Sequence, residues 1–171
     1  SIANIANSPL QLKAALSLSQ EIILKQSKGI SGILFKVIQN SNSNGFLIEN
    51  TIAKTVQEVR NLSDLFFEEN NELKQILDRT LSEFTPQIVN NIKLKYNPDV
   101  LISYSFNLST IPVIVGIEIT YIFLTILPSS NNLFENEKIL KDISREISFI
   151  AEKDITKVEL KKSKQKRKGI K

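Results

Sequence analysis

Residues 100–128 read VLISYSFNLSTIPVIVGIEITYIFLTILP, and the reading of this stretch sets the fold class. Val100, Ile102, Tyr104, Phe106 and Leu108 alternate with Leu101, Ser103, Ser105 and Asn107. An extended chain turns successive side chains to opposite faces, so this alternation predicts a half-buried strand. Ser109-Thr110-Ile111-Pro112 reads as a turn. Val113 to Ile126, rich in Val, Ile, Tyr, Phe and Thr and closed by Pro128, reads as the return strand. The expectation is an antiparallel hairpin over about 100–126, at the centre of a sheet.

The apolar run 111–127 also admits a reading as a membrane span. Its 17 residues are at the short limit, and Glu118, Thr120 and Thr125 interrupt it. Its β-branched content favours a buried strand. As a strand it would turn Glu118 away from Ile117 and Ile119, toward a polar face, an interface or a sheet edge.

Working toward the N-terminus, Asn97-Pro98-Asp99 ends a region of mostly helical pattern. Ser8-Pro9 reads as an N-cap and first helical position, and Leu12, Ala15, Leu16, Leu18 and Ile23 give an apolar face, so a helix is expected over about 9–27 with Gly29 as its C-cap. Gly32 to Ile38 and Phe46-Leu47-Ile48 flank a polar stretch ending in the turn signal Asn44-Gly45. They read as a hairpin or as two buried helical pieces. Residues 51–69 suggest a helix through Ile52, Val56, Val59, Leu62 and Phe66, and 73–84 a second through Leu73, Ile76, Leu77 and Leu81. Thr85-Pro86, with Ile88, Val89 and Ile92, suggests a further short helix.

On the C-terminal side, Asn132 and Glu135 resemble a capping box. Leu140, Ile143, Ile147 and Ile150 then step by three and four, as an amphipathic helix over about 132–152 requires. Asp154 to Leu160 reads as a last short strand. The expected architecture is thus α+β, with N-terminal helices, a central antiparallel sheet and an amphipathic C-terminal helix. Residues 1–160 would form one domain and 161–171 a basic tail.

Charge is concentrated in that tail. Lys161, Lys162, Lys164, Lys166, Arg167, Lys168 and Lys171 are 7 of the chain's 22 basic residues, leaving 15 against 18 acidic ones elsewhere. Such density suits a polyanion or an acidic protein, and the tail carries no aromatic side chain on which a base would stack. The alternative is a solvated arm. Gly29-Ile30-Ser31-Gly32, following a helix, resembles in spacing the GxxG loop of KH domains, with Ile and Ser in place of basic central residues. A helix C-cap followed by a turn accounts for both glycines equally.

The chain has no His, Cys, Met or Trp. Disulfides, thiolate metal sites and His-based catalysis are therefore excluded. Glu68, Glu69, Glu72 and Asp78 are the nearest approach to a catalytic carboxylate group, and they read as a solvated helix face. No classical secretion signal is expected. From residues alone, the expectation is a non-enzymatic structural subunit without cofactor, packed against other protein subunits in a virion, a tail or neck complex, or an organellar ribonucleoprotein. A stand-alone DNA- or RNA-binding protein acting through 161–171 is the alternative, and a membrane-associated protein using 111–127 is a weaker third.

Overall fold

In the computed structural model, which describes residues 11–39, 44–53, 71–95, 103–128 and 137–169, the decisive stretch is a hairpin with its turn elsewhere. Strand β4 runs Ser103–Val115 and β5 runs Glu118–Pro128. The turn is Gly116-Ile117, with Gly116 at φ +63° and Ile117 88% exposed. A glycine at the first central position suits the primed turns that match strand twist. Ser109-Thr110-Ile111-Pro112, expected as the turn, instead lies inside β4, where Ser109, Thr110 and Ile111 are fully buried.

The other described elements are helix α1 (Leu12–Ser27), strands β1 (Ser31–Gln39) and β2 (Asn44–Ala53), helix α2 (Asn71–Glu83), strand β3 (Gln87–Lys95) and helix α3 (Glu137–Gly169). The sheet order is β2-β1-β5-β4-β3, with every neighbouring pair antiparallel. This is the expected α+β class.

Alternation divides the sheet into two apolar faces. Leu34, Ile111, Val113, Phe123 and Leu127 meet Ala15, Leu16 and Ile23 of α1 and Leu140, Ile143, Ile147 and Ile150 of α3. On the other face Ile33, Phe35, Leu108, Ile122 and Leu124 meet Leu73, Ile76 and Leu77 of α2. Each fully buried Ile, Leu or Phe contributes about 1.5–3 kcal/mol of transfer free energy, and together these layers hold the helices to the sheet.

Several expectations are corrected. Residues 87–95 are strand β3, not a short helix. A bulge sets Asn90 and Asn91 opposite Asn107, so Val89 and Ile92 share a face at a helix-like spacing of three. Asn91 takes φ +57° there, and its N–H donates to Asn107 Oδ1 at 3.0 Å. Residues 51–53 end β2 rather than begin a helix, and 54–69 lie outside the described residues. Asn44-Gly45 opens β2 and pairs with Gln39 and Ile38, so it is not the turn. The left-handed C-cap of α1 is Lys28 (φ 52°), with Gly29 following. A Cβ on Gly29 would sit 2.8 Å from Leu24 Cδ1 and 3.0 Å from Thr125 Cγ2, so a larger residue there would require those side chains to shift. Leu18, expected on the apolar face, is 38% exposed. The capping residues Asn132 and Glu135 lie outside the described residues. Residues 154–160 continue α3 and form no strand.

Candidate functional site

Strand β1 is shared between two partners, and its two ladders end at different places. Its ladder to β5 ends at Lys36↔Tyr121, whereas its ladder to β2 continues to Gln39↔Asn44. Strand β5 meanwhile stays with β4 to Glu118↔Val115. The two central strands part beyond Lys36 and Tyr121, and a cleft of about 470 Å³ opens there.

Lys36 and Val37 form one wall and Glu118 to Tyr121 the other, with Leu12 of α1, Val115 of β4 and Ala151 of α3 closing the cleft. Directly opposed residues of antiparallel strands project to the same face, so Lys36 and Tyr121 stand side by side. Thr120 Oγ1 donates to Val113 O at 3.3 Å, which ties its hydroxyl to the hairpin.

Tyr121 is half-buried, and its pKa is raised above the usual 10.0. Burial is the largest cause; the carboxylates of Glu49 and Asp154 add to it by repelling a phenolate. Glu49 owes its position to a bulge: Leu34 pairs with Asn50 and Phe35 with Ile48, so Glu49 has no opposite residue. The hydroxyl therefore keeps its proton at neutral pH. It can donate one hydrogen bond and accept others. The cleft thus combines a neutral hydroxyl, one ammonium, one carboxylate and an apolar lining. Among the described residues no group of three or more Asp, Glu, His or Cys side chains is placed to hold a metal ion.

Lys161, Lys162, Lys164, Lys166, Arg167 and Lys168 fall in the last turns of α3, whose backbone is helical to Gly169; Lys171 lies outside the described residues. Asp78 is exposed on α2, and Glu68 and Glu69 lie outside the described residues. Of the cleft residues, Glu118 was legible as a carboxylate at a sheet edge. Lys36 carried a weaker signal, a single charge inside the apolar run 33–38. Tyr121 carried none, because an aromatic residue in a strand is ordinary core material.

No family model and no curated protein sequence matches the chain. Solved structures do. The GAF domain/HD domain protein from Geobacter sulfurreducens superposes with a TM-score of 0.56 at 10% identity, over 88% of this chain and 96% of that one. The GAF domain from Acinetobacter phosphoenolpyruvate-protein phosphotransferase superposes with a TM-score of 0.54 at 16% identity, over 88% of each chain. The chain has the fold of a GAF domain.

That finding overturns the architectural reading. The structures that share the fold are GAF domains, not virion or ribonucleoprotein subunits. The basic stretch was mistaken for the defining feature because charge is conspicuous in sequence, whereas a cleft made by diverging strands leaves no local trace. Residues 111–127, the candidate membrane span, belong to the β4–β5 hairpin, and no helix among the described residues is long and apolar enough to cross a membrane.

Proposed function

We propose that this chain is a non-catalytic regulatory domain that senses a small molecule in the cleft between β1 and β5. The observation that carries the reading is the cleft itself, on a fold shared with GAF domains: about 470 Å³, with an apolar lining to which the strand-paired residues Lys36 and Tyr121 add polar groups. That volume is in the range of small-ligand sites, which place a few polar groups on a mostly apolar wall. Opposite charges on Lys36 and Glu118 suit a zwitterionic or dipolar ligand end. Leu12, Val37, Val115 and Ile119 suit an apolar body of modest size.

The walls supply a route for output. Leu12 is the first residue of α1 and Ala151 belongs to α3, and both helices pack on the same sheet face. A ligand that presses on both would shift how the two helices sit on the sheet, by as much as its affinity differs between the two arrangements. A protein partner reading α3 would receive that signal.

The test is a titration of small metabolites against the isotope-labelled chain, followed by amide chemical shifts. A sensed molecule produces saturable shifts at Lys36, Val37 and residues 118–121. Tyr121→Phe and Lys36→Gln weaken it by roughly 5–30-fold each, as loss of one polar contact of about 1–2 kcal/mol would. If no compound of this size class gives saturable shifts at those positions, the sensor reading fails.

A further inference from the structure

A second concavity lies on the other side of α3, where β4 outlasts β3. The β3–β4 ladder stops at Gln87↔Thr110, and among the described residues no strand pairs with the edge of β4 from Ile111 to Val115. Helix α3 covers part of it. Ser144 Oγ donates to Pro112 O, Ile114 N–H donates to Ser148 Oγ at 2.8 Å, and Gly116 N–H donates to Glu152 Oε1 at 3.3 Å. These three side chains are spaced by four, so they form one stripe along the helix. Beside the stripe remains a groove of about 450 Å³ between α3 and the α2–β3 corner.

Two phenyl rings line this groove at a cost to the fold. Phe84 follows α2 at φ +55°, in the left-handed region where a bulky side chain is rare, and it is 44% exposed. It closes the C-terminus of α2, its N–H donating to Thr80 O at 3.0 Å, and holds a bulky side chain in that strained region while much of the residue stays in solvent. Phe149 of α3 is 55% exposed, and the Lys153 ammonium lies 5.4 Å from its ring centroid. Lys141 and Arg145, one turn apart on α3, line the same groove. Its carboxylate, Glu152, accepts the Gly116 N–H and serves the hairpin turn. The lining therefore has two cations, this one carboxylate and two rings, with Pro86 and Ile114 contributing apolar surface.

We propose that this groove is a second binding site, for a small planar molecule that bears an anionic group. The rings of Phe84 and Phe149 meet its flat body, and Lys141 with Arg145 meets a carboxylate or phosphate on its edge. Arg suits either anion through its planar fork of donors. Residues held in sparsely populated backbone regions concentrate at ligand-binding places, and an exposed ring at such a residue is what a ring-stacking site requires. The site shares no lining residue with the β1–β5 cleft, so it stands or falls independently of the sensor reading.

The test uses 1-naphthoate as a planar anion, with 1-naphthalenemethanol (planar, neutral) and cyclohexanecarboxylate (anionic, non-planar) as controls. Binding is followed by amide shifts on the full chain. Naphthoate is expected to bind at least 10-fold tighter than either control, with shifts at 84–86 and 141–149. Arg145→Gln and Phe149→Ala, both at exposed positions, each weaken it at least 5-fold, and Lys36→Gln leaves it unchanged. Phe84→Gly is expected to raise the thermal midpoint by relieving the left-handed strain while weakening naphthoate at least 5-fold. That pairing separates a binding role from a structural one. Equal affinity for the three probes, shifts confined to other regions, or full affinity in Phe84→Gly and Arg145→Gln would each overturn the proposal.

Discussion

Tyr121 loses its phenolic proton later in the folded chain than in the unfolded one, because burial and then Glu49 and Asp154 oppose the phenolate. The sign of the consequence follows from proton counting. Above the unfolded value of 10.0 and below the folded value, the unfolded chain binds fewer protons, so unfolding free energy falls as pH rises through that window. Below the window the group contributes no pH dependence. Urea unfolding on either side of this value should show a decline in the wild type that is shallower in Tyr121→Phe. An equal decline in both would show that Tyr121 is not its source. Little of this was legible in the sequence. The chain has three tyrosines, and none is marked out by its neighbours; the distinction comes from Glu49, displaced by a bulge, and Asp154, on a helix remote in sequence.

At the scale of elements, bulges and edges explain two departures from the sequence pattern. Periods of two and three signal strand and helix, and both features alter them. In β3 the extra residue at Asn90-Asn91 converts an alternation into a spacing of three. In β4, Pro112 looked like a turn residue. It is tolerated in the strand because the β3–β4 ladder stops at the Gln87↔Thr110 pair, so among the described residues no ladder bond awaits its missing N–H on that edge. Its carbonyl is taken up by Ser144 instead. Ser144→Ala should therefore leave a buried carbonyl unpaired and cost about 1–3 kcal/mol in denaturant unfolding. Ser144→Thr, which keeps the hydroxyl, should recover part of the loss. A cost below about 0.5 kcal/mol for the alanine variant would mean that water or rearrangement satisfies Pro112. Where no bulge or edge intervened, as in α1, the core of α2 and the 140–150 face of α3, periodicity alone located the element.

For the whole molecule, α3 joins the features on either side of it. It packs Leu140, Ile143, Ile147 and Ile150 on the sheet, lines the β1–β5 cleft with Ala151, and lines the opposite groove with Lys141, Arg145 and Phe149. Ile147 is fully buried, so Ile147→Ala should cost about 2–5 kcal/mol through lost transfer energy and the cavity left behind. If α3 belongs to one cooperative unit with the sheet, the urea transition stays single with an unchanged slope. A separate early transition would show that the helix detaches by itself.

Apolar alternation within 100–126 and helical periodicity at both ends were enough to set the α+β class, and a residue set without imidazole or thiol closes off His-based and thiolate chemistry. These are local properties, set by side-chain period and composition within a few turns of chain. The site, by contrast, exists only once the strands are paired. Lys36 and Tyr121 lie 85 positions apart and become neighbours because β1 inserts beside β5 in the order 2-1-5-4-3, and the cleft exists because two ladders sharing β1 end at different residues. Strand pairing of that range is fixed by the burial of two faces at once, a constraint that no window of sequence contains.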